Sequence, residues 1–508
     1  MKRWLYTAFV LTLMLGWSVP VTAAGVPDLK TLRANIDAAR GPVPDNYRET
    51  LTITAEDGST ETFHTYKFGK SLRTRVDSGP VHWEFGTADG EDWHQDENGI
   101  TVVDEPDPDS GAAAGASADS GTVSQAATPA GTLVISSVDA NGFGTRQYVD
   151  GATDHVLREE RIRRAGTVTT TYDEYATFGA ETLPSRWTVT NSATGTVREI
   201  ARLERVAGDV SAAQVAEPSI RRALVDFPSN APVAIPARFN AGQIIVTVTI
   251  AGHPLNFILD TGSADIVLDS TTAHDLGFAS IDHYSATNAQ TADFSDAVVP
   301  ALTIGTVSMH DIVVSTTPLT DRSSAPGFKV AGLLGFDFLA TIGVHIDYEH
   351  STVSVAPVGS YAPPSGPNVV PIDIRLGQQV PTMSVGLDGV VANRFVIDTG
   401  NGFGSYLVFD YFMDRHPNVG ERSSEAVNGV GIGGTFTAHP FFVHSFRFGT
   451  WDFQDFNGFR VGAGSYPQDE DGAIGPEFLV LFNVDLDYPH GRVYLTPTTN
   501  TKQMLHMH

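Results

Sequence analysis

"NFILDTGSADIVLD", residues 256–269, sets one carboxylate, Asp260, in a Thr-Gly turn between two apolar runs. The runs are continuous rather than alternating, the pattern of strands buried on both faces. A carboxylate at the end of such a strand is poorly solvated, and its charge is costly unless donors compensate. The Thr261 hydroxyl and the Gly262 backbone N–H can supply them, and glycine permits a close approach that a side chain would obstruct. The triplet alone means little, because its near equivalent Asp-Ser-Gly also begins at Asp77, Asp109 and Asp119, where turn chemistry accounts for it.

What distinguishes Asp260 is that its surroundings recur. "PTMSVGLDGVVANRFVIDTGNGFGSYLVFD", residues 381–410, repeats "IIVTVTIAGHPLNFILDTGSADIVLD", residues 244–269, with Asp398 in place of Asp260. In both copies a variable middle follows, then two apolar residues and a glycine (Leu333-Leu334-Gly335; Ala473-Ile474-Gly475), then "HIDY" or "DLDY" and a closing strand. The spacing from Asp260 to Gly332 is 72 residues and from Asp398 to Gly472 is 74. A period this long suits two duplicated lobes rather than a solenoid. If the lobes face each other, Asp260 and Asp398 meet near a pseudo-two-fold axis and share one proton, because two adjacent carboxylates resist double ionisation. One ionised and one protonated carboxyl are what peptide hydrolysis by an activated water requires.

Residues 241–497 resemble the retropepsin-like and pepsin-like aspartic proteases, through Asp260-Thr261-Gly262, Asp398-Thr399-Gly400 and the two later apolar-apolar-Gly elements. The resemblance implies that Asp260 and Asp398 are catalytic and that Thr261, Gly262, Thr399 and Gly400 orient them. Leu334, Gly335, Ile474 and Gly475 would then pack beneath the two loops. Two departures stand out. The second copy has Asn401 where the first has Ser263, and by direct count its next strand starts about three residues later. The first copy has no Gly-rich flap, Tyr284 being the nearest candidate for the tyrosine that pepsins carry there. In the second, Gly429, Gly431, Gly433 and Gly434 of "GVGIGG" suit a mobile hairpin. That string also fits G-x-G-x-x-G, but strand-like sequence follows it rather than a helix, which argues against a dinucleotide site.

The rest of the chain supplies context. Residues 1–24 read as a secretory signal, with Lys2 and Arg3 before an apolar stretch and "VTAAG" for cleavage. The 508 residues include no cysteine, so thiol chemistry, disulfides and thiolate metal sites are excluded. A net charge of −27 disfavours nucleic acid and anionic membranes. Residues 25–206 alternate in short runs and predict an antiparallel β domain, with the Ala/Gly/Ser-rich stretch 104–131 as a disordered insert. In strand order this region resembles periplasmic lipoprotein-sorting proteins, through "RQYVDGATDHVLREERI" and "YATFGAETLPSRWTV". Residues 207–240 read as a linker with a short helix, 241–360 and 361–497 as the two lobes, and 498–508 as a tail. The fold class expected is all-β: a duplicated, two-lobed acid-protease β-barrel domain preceded by an antiparallel β-sheet domain.

No metal or other cofactor is expected. His439 and His444 fit neither one helix face nor one strand face, His506 and His508 lie on the tail, and "QDEDG" before Gly472 lacks calcium-loop spacing and reads as a solvated turn. No G-x-S-x-G elbow is present. The function expected is an exported, monomeric aspartic endopeptidase of a bacterial envelope, periplasmic or secreted, acting on peptide or protein substrates without stable membrane insertion. The competing expectation is an envelope protein that binds peptides or ligands with the same duplicated fold and no catalysis.

Overall fold

The computed structural model describes residues 26–104, 121–126, 129–138, 142–163, 166–193, 195–221, 223–240, 242–287, 289–319, 329–462 and 470–504. The signal at 1–24, most of the insert at 104–131, Asp109, Asp119, His506 and His508 lie outside them. The protein is all-β, and the chain divides into two compact units. Arg3–His94 and Pro106–Pro218 form one; Gln95–Glu105 and Ser219–His508 form the other. The chain thus enters the second unit for eleven residues in the middle of the first.

Among the described residues the first unit is an antiparallel sheet with one α-helix. Neighbouring hairpins run from Asn46–Ala55 to Glu91–Gln95 and from Thr122–Gln125 to Val197–Ala207, and Asn46–Ala55 pairs with Val197–Ala207 to join the two runs. Ile53, Phe63, Val76, Trp83, Trp187 and Ile200 form its main core. Three expectations change. Leu29–Arg40 is a helix, begun by Asp28 accepting from the Thr31 amide at 2.8 Å, with Leu32 packed against Ile135 and Val149. Thr122–Gln125, inside the stretch read as disordered, is a strand paired with Thr132–Val138. Asp77 lies in the strand Ser71–Ser78 rather than in a turn.

The second unit repeats itself in space as it does in sequence. In one sheet, His253–Leu259 pairs in parallel with Gly332–Leu334, and Val267–Asp269 pairs in parallel with Val307–Thr317. In the other, Val390–Ile397 pairs in parallel with Gly472–Ile474, and Tyr406–Phe409 with Trp451–Val461. Each sheet has a further pairing between strands distant in its order, at Thr249↔Thr303 in the first and Val385↔Phe448 in the second. A third, six-stranded sheet takes three strands from each half, and Ile342–Asp347 and Phe482–Asp487 meet antiparallel at its centre with His345 opposite Asp485.

Residues 207–240 are not a helix-bearing linker. Among their described members the helical structure is the 3-10 turn Ala212–Gln214, Val233–Ile235 adds an edge strand to the six-stranded sheet, and Ala237–Asn240 pairs with Gln243–Ile250. "QDEDG" is not simply solvated either. Asp471 is buried, accepts from the Asn393 and Arg394 amides at 2.7 and 3.1 Å, and pairs with Arg415. Among the described residues no helix is long and apolar enough to cross a membrane.

Candidate active site

Each Asp-Thr-Gly turn follows an apolar strand whose partner fixes its start. The Asp260 amide donates to Leu334 O at 3.1 Å, and the Asp398 amide to Ile474 O at 2.9 Å. Leu334 and Ile474 are fully buried in strands paired with the two loops' leading strands. Gly335 leaves no room for a side chain: a Cβ there would lie 2.5 Å from Ser263 O and 2.3 Å from Asp265 O.

The two turns are locked to each other. Thr261 Oγ1 donates to Ile397 O at 2.6 Å and accepts from the Thr399 amide at 2.9 Å. Thr399 Oγ1 donates to Leu259 O at 2.7 Å and accepts from the Thr261 amide at 3.1 Å. Both threonines are essentially excluded from solvent, so these four bonds satisfy backbone groups that water does not reach.

This lock brings both carboxylates against the same pair of glycines. The Gly262 amide donates to Asp260 Oδ1 at 3.0 Å, while a Cβ on Gly262 would come within 2.5 Å of Asp398 Cγ. Reciprocally, the Gly400 amide donates to Asp398 Oδ1 at 2.9 Å, and a Cβ on Gly400 would lie 2.1 Å from Asp260 Cγ. Tyr488, after the strand Phe482–Asp487, feels both carboxylates. Burial, then Asp260, then Asp398 hold its phenol well above the usual tyrosine range, and its hydroxyl has no hydrogen-bond partner among the described residues. Such a site can hold two carboxyls that exchange a proton between them.

The loops differ beyond the glycines. Asn401 donates its amide to Asp398 Oδ1 at 2.9 Å, the Ser263 amide donates to Asp260 O at 3.2 Å, and Asn401 Oδ1 accepts from the Phe403 amide at 2.9 Å. Phe403 then packs on Phe436 and Phe459, with ring centroids 5.3 and 4.7 Å away. Judged by register, the following strand is displaced by two residues, since Val267 and Leu407 occupy equivalent places opposite Leu333 and Ala473. Gln243, which sequence reasoning missed, donates to Gly400 O at 2.7 Å. Its identity carries no motif, only its place at the head of the strand Gln243–Ile250.

"GVGIGG" forms a tight hairpin between Val427–Gly431 and Gly434–Phe448. The first lobe has a counterpart, Ile281–Thr287 with Thr291–Ile304, in which Tyr284 stacks on Phe294 and hydrogen-bonds Ser315 at 2.9 Å. The two tips meet: Gln290 N donates to Ile432 O at 3.3 Å and Gln290 Nε2 to Thr435 O at 2.7 Å. Ile432 packs among Ile258, Val267 and Leu333 of the first lobe, and Ala289 among Val396, Leu407 and Phe436 of the second. Gly433 is required at this crossing, because its φ is +86° and a Cβ would approach Gln290 O to 2.5 Å.

Among the described residues no group of three or more His, Asp or Glu side chains is arranged to hold a metal ion. Comparison with known proteins bears on part of the site. No curated protein matches the chain. Solved structures that match include basic 7S globulin from soybean, at 10% identity over 54% of this chain and 97% of that one, with a TM-score of 0.33. A LolA superfamily protein from Nitrosomonas europaea matches at 12% identity over 37% of this chain and 96% of that one, TM-score 0.29. An outer membrane lipoprotein-sorting protein domain from Vibrio parahaemolyticus matches at 13% identity over 36% and 94%, TM-score 0.28. Residues 246–338 match the family model described as aspartyl protease, a stretch that includes Asp260, Thr261, Gly262, Leu334 and Gly335 and ends before Asp398.

Proposed function

We propose that this protein is an aspartic endopeptidase in which Asp260 and Asp398 form the catalytic pair. The observation that carries the reading is the reciprocal packing of each carboxylate against the other loop's glycine, held by the crossed Thr261 and Thr399 bonds. In the reaction the ionised carboxyl takes a proton from a water molecule as its oxygen adds to the scissile carbonyl carbon. The protonated carboxyl donates to the carbonyl oxygen, and the tetrahedral intermediate collapses with proton transfer to the departing amine. No covalent enzyme intermediate forms. An extended peptide would lie beneath the two hairpins, whose tips must separate to admit it.

By the same reading the protein acts in the envelope or outside the cell, after removal of residues 1–24, as a monomer with both halves of the site in one chain. The test is cleavage of a peptide library by the full-length protein between pH 3 and 8, read by mass spectrometry. Asp260→Asn and Asp398→Asn are each expected to lose at least about 100-fold in rate, the scale of a lost general acid or base. Full activity in either variant would exclude the pair. A wild type that binds peptides and cleaves none would leave the binding-protein reading in its place.

A further inference from the structure

The turn Asp96–Gly99 belongs to the same compact unit as the candidate site, although the chain on both sides of Gln95–Glu105 belongs to the other unit. Its conformation is set locally. Asp96 Oδ1 accepts from the Asn98 and Ile100 amides at 3.0 and 2.7 Å, and Gly99 takes a φ of +80°. Ile100, fully buried, then enters the core shared by the two lobes.

What the turn presents is two buried polar side chains with partners in both lobes. Asn98 Nδ2 donates to Asp337 Oδ1 and to Val313 O, each at 2.9 Å, and Asn98 Oδ1 accepts from the Val313 amide at 2.9 Å. Asp337 Oδ2 accepts from the Ile266 amide at 2.7 Å, on the segment that leaves the Asp260 turn. Two residues beyond Val313, Ser315 donates to Asp265 Oδ2 at 2.9 Å. Asp96 Oδ2 accepts from Gln379 Nε2 at 2.8 Å, shortly before the second lobe's strand Thr382–Leu387. Asp96, Asn98, Asp337 and Gln379 are all nearly excluded from solvent. At the equivalent place in the second lobe Glu477 stands where Asp337 does, is exposed, and contacts Ser405 at 3.5 Å.

We propose that the turn Asp96–Gly99 is a brace of the active site, with Asn98 as a positioning residue that fixes the Asp260 loop through Asp337 and Asp96 tying in the second lobe through Gln379. Residues 95–105 are then part of the peptidase rather than of a removable pro-segment. The inference rests on the aspartic peptidase reading for its effect on rate, but not for its effect on structure.

Full-length Asn98→Ala and Gln379→Gly test it with two readouts. Gln379→Gly removes the tie without straining the backbone, since Gln379 has a φ of +60°. For Asn98→Ala, amide exchange over residues 260–269 and 311–317 should accelerate about tenfold or more, the equivalent of one lost buried hydrogen bond. Exchange at the hairpin 427–438 should stay as it is. On a cleaved peptide, kcat should fall about 10- to 100-fold with KM changed less than about threefold, as expected when catalytic groups shift while the cleft persists. Unchanged exchange at 260–269 together with unchanged kcat would overturn the brace. If Asn98→Ala does not fold, Gln379→Gly decides: faster exchange at 379–387 with lower kcat supports the brace, and wild-type values of both refute it. A wild type that cleaves no peptide removes the functional reading, and the exchange measurements still decide the brace.

Discussion

Replacing Thr261 by valine keeps its shape and removes one hydroxyl from the lock between the loops. That hydroxyl donates to Ile397 O and accepts from the Thr399 amide. Valine leaves both backbone groups without those bonds in a place where Thr261 is 1% exposed and Thr399 0%. At about 1–3 kcal/mol for each buried group left unsatisfied, Thr261→Val should destabilise the two-lobed unit by about 2–6 kcal/mol. Thr399→Val removes the mirror pair, the bonds to Leu259 O and from the Thr261 amide, and should cost a similar amount. Thr261→Ser keeps the hydroxyl and should stay within about 1 kcal/mol of wild type, losing only a methyl group. Denaturant-dependent amide exchange over 255–269 and 392–409 measures the effect where it arises and avoids assuming that a chain of two units unfolds in one step. If Thr261→Val and Thr261→Ser have the same stability, the crossed bonds do not hold the loops. If the two valine variants differ by more than about 2 kcal/mol, the lock is not the reciprocal device its geometry describes.

Gly400→Ala should abolish peptide cleavage while preserving the fold of the first unit, because its Cβ would need the space of Asp260 Cγ, 2.1 Å away; wild-type kcat in this variant would show that the carboxylate is not held there. Ile432→Ala should loosen the hairpin crossing by about 2–4 kcal/mol, a typical cost for truncating a buried Ile, visible as faster exchange over 427–436, and no change would place Ile432 outside the first lobe's apolar pocket. Asp337 gives a pH signature. Burial, then Asp96, then Asp265 hold its carboxyl well above the usual range. A raised folded pKa stabilises fully below the unfolded value and is lost as pH rises through the folded one, so relative to Asp337→Asn the wild type should lose up to about 1.4 kcal/mol per pH unit above about pH 4. A stability difference that stays flat from pH 4 to 7 would contradict this.

How much of this was legible in the sequence depended on where each residue's partners lie. The duplicated flanks of Asp260 and Asp398 were readable because a buried strand has a one-dimensional signature, and the glycines of "GVGIGG" because a tight hairpin needs them locally. The helix Leu29–Arg40 carried its own signal too, with Leu29, Leu32 and Ile36 on one face after Asp28, but short polar stretches around it favoured a strand reading. Thr122–Gln125 had no such signal, since a short edge strand takes its bonds from Thr132–Val138 rather than from its own letters. Asn98 is the extreme case. "DENG" is correctly a turn, but its function as a brace depends on Val313 and Asp337, 215 and 239 residues away.

The distribution of differences between the lobes follows from the same distinction. Groups that face across the pseudo-two-fold axis, Thr261 with Thr399 and Gly262 with Gly400, are identical, because each is the other's binding surface and a change in one would require a change in both. Groups that point away from the axis are free to diverge. Both lobes bury a carboxylate behind the site, but on opposite partners of the same strand pair. In the first lobe it is Asp269, which caps Thr272 and pairs with Lys329; in the second it is Asp471, which caps Asn393 and Arg394 and pairs with Arg415. The positions equivalent to these are Phe409 and Ala331, and the backbone bond is the same in each: the Asp269 amide to Ala331 O at 2.8 Å, the Phe409 amide to Asp471 O at 3.0 Å. Fusion of the lobes in one chain removes the requirement, inherent in a symmetric dimer, that every such group appear twice. That freedom is what lets a segment such as Gln95–Glu105 support the Asp260 loop through Asp337 while the second lobe carries the exposed Glu477 at the equivalent place.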